Sequence, residues 1–177
     1  MTISKEYPCA LENYTAGRKG KIEYIVIHYT GGTGSALANV RYYSGSPDRK
    51  ASAHFFVGHK SEGAAIYQSV APENTAWHCG AKTYKHPSCR NSNSIGIEMC
   101  CHNSNGELSA ASEGWYFDGE TENQAAALTR ELMKVYKIPA DHVVRHFDVT
   151  GKVCPAPFVK NGGAWTSFIQ KISEKGD

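Results

Sequence analysis

An α/β domain is what this sequence predicts, and three observations carry the prediction. Apolar, β-branched runs such as Ile22-Glu23-Tyr24-Ile25-Val26-Ile27-His28 are interleaved with segments of helical period, above all the stretch up to Tyr136. That first run is almost continuously apolar, as a central strand buried on both faces requires. It ends on a histidine that opens into Tyr29-Thr30-Gly31-Gly32, the place where α/β proteins put chemistry. The 177 residues suffice for one domain, read as 1–177 with a core at about 22–173 and residues 1–20 as an extended leader.

Composition narrows the function classes. Hydrophobic and charged fractions of 41% and 20% are those of a soluble globular protein. A net charge of +2, from 19 basic and 17 acidic residues, gives no electrostatic footprint for nucleic acid. No apolar run approaches the roughly 20 residues that span a bilayer, so no stable membrane insertion is expected. Met1-Thr2-Ile3-Ser4-Lys5-Glu6-Tyr7-Pro8 lacks the apolar core of a secretory signal, so synthesis in the cytoplasm without a signal peptide is expected. The six cysteines include no CxxC pair and read mostly as buried or free thiols. A Cys79–Cys89 bridge across a loop stays open.

In chain order, Ser35 caps a helix through Leu37, Val40, Arg41 and Tyr43 that stops near Gly45 and Pro47. Ser52 to Val57 and Ala64 to Val70 read as strands, with Ser61-Glu62-Gly63 as the hairpin between them. His54 lies inside the first, where packing or support of a nearby site outweighs a direct role. Residues 71–93 form a long polar loop carrying Ala76-Trp77-His78-Cys79-Gly80. A loop of that length in a compact domain is functional or disordered. Trp77 beside His78 suits a sugar or peptide groove, and equally a cover for the core edge. Asn93 to Cys100 is a strand with one acid, Glu98, among Ile95, Ile97 and Met99. A carboxylate there needs a cation or a donor as partner. His59, His86, His102 and His142 fall in polar surroundings and read as surface residues. Thr121-Glu122-Asn123-Gln124 reads as a capping box, followed by Ala125, Leu128, Leu132, Val135 and Tyr136 at core-facing spacing. After Pro139, Val143-Val144 is a short strand, and a last helix runs from Trp165 to Ile172.

The stretch from Arg145 to Pro155 groups an imidazole, a carboxylate, an ammonium and a thiol (His146, Asp148, Lys152, Cys154). A turn alone would not require them together. Imidazole and thiolate are what a borderline-soft cation such as zinc prefers. His28 and His146, each at the end of a strand, and Cys154 supply three ligands. That leaves the open tetrahedral position of a hydrolytic rather than a structural site. Glu98 then has the task of a general base, and Lys152 that of stabilising an oxyanion.

The chain resembles the zinc-dependent N-acetylmuramoyl-L-alanine amidases. These include phage endolysin amidases, bacterial anhydromuramyl-peptide amidases and animal peptidoglycan-recognition proteins. Five ordered blocks carry the resemblance: Ile25-Val26-Ile27-His28-Tyr29-Thr30, Ser52-Ala53-His54-Phe55, Ala76-Trp77-His78-Cys79-Gly80, Asn93-Ser94-Ile95-Gly96-Ile97-Glu98, and His146 through Pro155. It implies a central mixed β-sheet flanked by helices and one zinc ion at His28, His146 and Cys154. It implies Glu98 and Lys152 as catalytic partners, Tyr29, Thr30, Trp77 and His78 as substrate contacts, and His54 and Asp148 as supports for the ligands.

The implied reaction is hydrolysis of the amide between N-acetylmuramic acid and L-alanine of the stem peptide. The setting it implies is a Gram-positive phage or prophage endolysin that reaches the cell wall by holin-type release, with a separate wall-binding module outside this chain. One departure is Ala53, where some phage amidases carry a catalytic tyrosine; this shifts weight to Glu98. The second reading, from a different class, is a recognition module that binds muropeptide without cutting it. Retention of Cys154 speaks against it.

Overall fold

The computed structural model describes residues 1–174. Its strands and helices are, in order, β1 (Ile3–Ser4), β2 (Tyr14–Thr15), β3 (Tyr24–Tyr29), α1 (Ala36–Gly45), β4 (Phe55–Val57), β5 (Ile66–Gln68), β6 (Thr75–Ala76), β7 (Ser94–Met99), β8 (His102–Asn103), β9 (Trp115–Tyr116), α2 (Gly119–Tyr136), β10 (Val143–Arg145), α3 (His146–Thr150), α4 (Ala156–Lys160) and α5 (Gly162–Ser173). Six strands form the central sheet in the order β1-β5-β4-β7-β3-β10. It is mixed: β3 runs parallel to both β7 and β10, and β4 parallel to β7, whereas β4 and β5 are antiparallel. No helix among the described residues is long and apolar enough to cross a membrane.

Side-chain alternation along β3 and β7 sorts the sheet into two faces. Ile25, Ile27 and Tyr29 of β3, with Ile95, Ile97 and Met99 of β7, join the main core beneath α2, α4 and α5. The opposite face carries Tyr24, Val26 and His28 of β3 with Ser94, Gly96 and Glu98 of β7. There the apolar cover is split. Cys79, Cys89, Val144 and Val149 pack on Tyr24 and Val26 at one end, and α1 packs on Phe56 at the other. His28 and Glu98 are direct register partners in the gap between these two patches. The cleft is therefore a consequence of period-two patterning on a sheet covered fully on one side and partly on the other.

Several expectations shift. Ser35 caps α1 by accepting from the Ala38 N–H at 3.0 Å, and β4–β5 is the expected hairpin, shorter at both strands. Residues 1–20 are more than a surface leader: β1 is an edge strand of the central sheet, β2 pairs with β6, and Cys9 and Asn13 are buried. The Thr121 capping box does not form. Helix α2 starts earlier, behind Asp118, and the buried Thr121 hydroxyl donates to the Gly58 carbonyl at 2.8 Å. His146 opens α3 rather than ending a strand, and Gly151, at φ +87°, closes that short helix in the left-handed region that glycine tolerates. All six cysteines are free and buried.

Candidate metal centre and its cleft

Strand β3 brings His28 to the cleft, the start of α3 brings His146, and the loop between α3 and α4 brings Cys154. One ligand atom from each lies within 4.8 Å of the other two. The His28 Nδ1 faces the Cys154 Sγ at 3.6 Å, and the two imidazoles meet edge to face with centroids 4.7 Å apart. Glu98 Oε1 lies 4.0 Å from the same His28 Nδ1. All three ligand residues are buried.

Hydrogen bonds fix which nitrogen of His28 is free. The Ser94 hydroxyl donates to the Arg90 carbonyl at 2.6 Å, so its oxygen accepts from His78 Nε2 at 3.2 Å. With its proton on Nε2, His78 offers a lone pair on Nδ1, and His28 Nε2 donates to it at 3.0 Å. His28 Nδ1 is thereby left unprotonated and aimed at Cys154, the arrangement a metal-binding imidazole needs. The chain Arg90–Ser94–His78–His28 also requires Gly96. A Cβ there would sit 2.6 Å from His78 Cγ, so only a bare backbone lets the imidazole lie over β7.

The electrostatics agree with the donor set. Burial holds His28 well below its ordinary value, with His146 and His78 adding to the effect, and burial takes His146 down to about 3; both are neutral ligands at pH 7. Burial pushes the Glu98 carboxyl up to about 8, against the opposing pull of Lys152. Burial likewise pushes the Cys154 thiol up. Two buried polar atoms here, Glu98 Oε2 and His146 Nδ1, have no partner. Two neutral imidazoles, a thiol held protonated by burial and an unmet carboxylate oxygen are what a dication would resolve, so the residues fit zinc.

An amidase-family sequence model described as N-acetylmuramoyl-L-alanine amidase matches residues 18–157, most of the chain. This chain belongs to the N-acetylmuramoyl-L-alanine amidase family. It is 36% identical over 168 residues to the amidase CwlL of Bacillus licheniformis, covering 89% of this chain and 41% of that protein. It is 31% identical to CwlH of Bacillus subtilis, covering 98% and 62%. It thus spans about two fifths to three fifths of these curated relatives. Among solved structures, PlyL superposes with a TM-score of 0.75 at 28% identity, covering 100% of this chain and 99% of that one. The catalytic domain of XlyA superposes at 0.73 and 28%, covering 97% and 99%. The expected mixed sheet flanked by helices is thus a fold this chain shares with amidase-family structures over nearly its whole length.

In this amidase-family chain the centre opens onto a groove of about 460 Å³ whose lining includes Lys50, Trp77, Asn91, His146, Thr150 and Lys152. Lys152 is exposed and acts electrostatically on Glu98, His28 and His146. Trp77 is half-buried, its indole N–H donating to Thr15 Oγ1 at 3.0 Å, and it lines the groove wall. His78 lines the groove too, while both its ring nitrogens serve the His28 chain. Tyr29 is 9% exposed and packs edge-on against Trp115, and the Thr30 hydroxyl donates to the Gly32 carbonyl. His54 meets the His78 ring edge to face, its Nδ1 accepts from the Gly96 N–H at 3.0 Å, and Arg18 Nη2 lies 2.7 Å from its Nε2. Asp148 is held bidentately by Arg145 (2.7 and 3.0 Å) and caps α3, the helix that His146 opens, by accepting the Arg145 N–H.

Sequence reasoning missed Ser94, Gly96 and Asn91. Only Gly96, a glycine inside a β-branched strand, carried a readable signal of close approach. His59 was expected at the surface and is buried, 5% exposed.

Proposed function

We propose that this chain is one catalytic domain, a zinc-dependent peptidoglycan hydrolase that cleaves the amide between N-acetylmuramic acid and the L-alanine of the stem peptide. The observation that carries the reading is the hydrogen-bond chain that frees His28 Nδ1 toward Cys154, with Glu98 beside it. His28, His146 and Cys154 would hold the zinc, which when bound polarises a carbonyl and lowers the pKa of water to about 7. Glu98 takes a proton from the attacking water and passes it to the leaving amine, so that one water adds across the C–N bond. Its place 4.0 Å from His28 Nδ1 sets the carboxylate beside the water that a metal held there would activate. Lys152, on the rim of the groove, faces the oxyanion that develops on the carbonyl. The groove of about 460 Å³, with Trp77 among its lining residues, would receive the sugar and peptide of the substrate.

Relatives that extend well beyond the matched region support a unit that works beside a separate wall-binding module. The same reading has the enzyme reach the wall through a holin-type pore. A muropeptide-binding role without cleavage leaves Glu98 without a task.

Purified protein incubated with Gram-positive cell walls, with and without chelator, tests the reading. Bound zinc together with chelator-sensitive release of new N-terminal L-alanine is the expected result. Zinc without new L-alanine termini would replace the hydrolase with the recognition module, and no zinc would overturn the ligand set.

A further inference from the structure

A second histidine cluster lies outside this mechanism. His59 follows β4, His102 opens β8 and Asp118 precedes α2. One nitrogen from each histidine and one carboxylate oxygen of Asp118 lie within 4.8 Å of one another. Five buried side-chain nitrogen or oxygen atoms among the described residues lack a partner. Two are in the cleft (Glu98 Oε2 and His146 Nδ1), and two more are both ring nitrogens of His59. An imidazole 5% exposed with neither its N–H nor its lone pair met is rare in a native interior and points to a missing ligand.

The surroundings hold these groups in place. His59 stacks on His102 with centroids 4.2 Å apart, and His102 stacks on Tyr116 at 5.2 Å. His102 Nε2 sits 2.9 Å from Asp118 Oδ2, and the Lys60 N–H donates to that same oxygen at 2.9 Å. Asp118 occupies the N-cap position of α2, yet its side chain makes no cap hydrogen bond and turns to His102 instead. Burial alone would raise its carboxyl, but the His102 and Lys60 hydrogen bonds outweigh this and keep it anionic. A rival grouping of His59, Glu62 and Cys100 has similar spacing. There the Glu62 carboxylate already accepts from the Ala36, Leu37 and His59 N–H groups, and burial pushes the Cys100 thiol up.

We propose that His59, His102 and Asp118 form a second site for a divalent transition-metal ion of the zinc, cobalt and nickel class. Two imidazoles and a carboxylate suit such borderline cations. Side chains of His102 and Asp118 that are 32% and 20% exposed give the ion a path from solvent. The ion ties the end of β4 and the start of α2 to the β8–β9 pair, whose Trp115 packs on Tyr29 at the end of the strand that carries His28. Its role is to hold that segment in place.

The test is zinc stoichiometry on the untagged full chain, by dialysis against zinc and elemental analysis, with melting curves in zinc and in chelator. The wild type should hold about two equivalents, and His102→Ala and Asp118→Asn about one each. Both variants should keep wall hydrolysis and lose part of the zinc-dependent rise in Tm. Asp118→Asn is isosteric and answers the question if His102→Ala fails to fold. A wild type with about one equivalent, lost in Cys154→Ala and untouched by His102→Ala, would overturn the second site and leave the hydrolase reading standing. One equivalent lost in His102→Ala but kept in Cys154→Ala would support the second site and overturn the proposed catalytic ligand set.

Discussion

The floor and the wall of the cleft are built in different ways. The floor is set by neighbouring parallel strands: His28 on β3 faces Glu98 on β7 in direct register, with His146 just past β10 at the start of α3 and Cys154 in the loop that follows α3. Ladder hydrogen bonds and a continuous apolar core beneath fix those positions. The wall, from Trp77 to Asn91, has little regular structure and is held by single side chains reaching back to backbone. Asn91 Oδ1 accepts the His78 and Cys79 N–H groups at 3.2 and 2.8 Å, and Ser52 Oγ accepts the Trp77 N–H at 2.9 Å. The floor sets chemistry and the wall sets fit, so losses on the floor should be catastrophic and losses on the wall partial.

The largest effect is expected from Cys154→Ala. On the proposed ligand set it takes a donor from the floor, so cleft metal should be lost, wall hydrolysis should fall to background and the zinc-dependent part of Tm should disappear. Tight zinc retention in the cleft, by elemental analysis, would remove Cys154 from the ligand set. Glu98→Gln comes next. It should keep the metal and lose roughly 10²–10⁴-fold in rate, as for a lost general base. The same variant has a stability signature once metal is chelated. The native Glu98 carboxyl stays protonated up to about pH 8, whereas the unfolded residue titrates near 4.5. Between those values the native state binds the extra proton, so its stability falls as pH rises. Melting at pH 5 and pH 8 should therefore show a larger decline in the wild type than in Glu98→Gln; equal declines would mean that Glu98 is not buried as described.

Gly96→Ala probes the junction of floor and wall. The new methyl would meet the His78 ring at 2.6 Å, and the strand cannot yield without breaking its ladder. The ring must leave, His28 loses the acceptor that fixes its tautomer, and cleft metal affinity should drop about 10–100-fold. Unchanged affinity in a zinc competition assay would show that His78 does not orient His28.

This division also explains what the sequence revealed. Strand-borne groups were legible because period-two patterning and β-branched runs placed His28 and Glu98 on strands that the fold sets side by side. The short span from His146 to Cys154 kept its chemistry local. Loop-borne groups were not, since a long polar loop has no periodicity and Asn91 looks like any loop asparagine. Helix α2 was found but started wrongly, because Thr121 fits a capping box locally while its hydroxyl is claimed by Gly58 from a distant segment. His59 read as a surface residue because the ring stacked on it belongs to His102 of β8, distant in sequence.

Asn91→Ala should give the smallest of these effects and is the sharpest check on the wall. It takes one acceptor away from two backbone N–H groups in a half-buried turn, at a cost of about 1–2 kcal/mol because solvent reaches part of the site. For a chain of this size that corresponds to a Tm lower by roughly 2–8 °C. The turn carries His78 and Trp77 but no metal ligand, so metal content should stay at the wild-type level. The rate loss should stay under about 10-fold and appear mainly in KM, as for a residue that shapes substrate binding. Asn91→Asp keeps the accepting oxygen and should recover most of the stability. A rate loss as deep as that of Glu98→Gln would erase the distinction between floor and wall, and would mean that the turn itself holds the reacting groups in line.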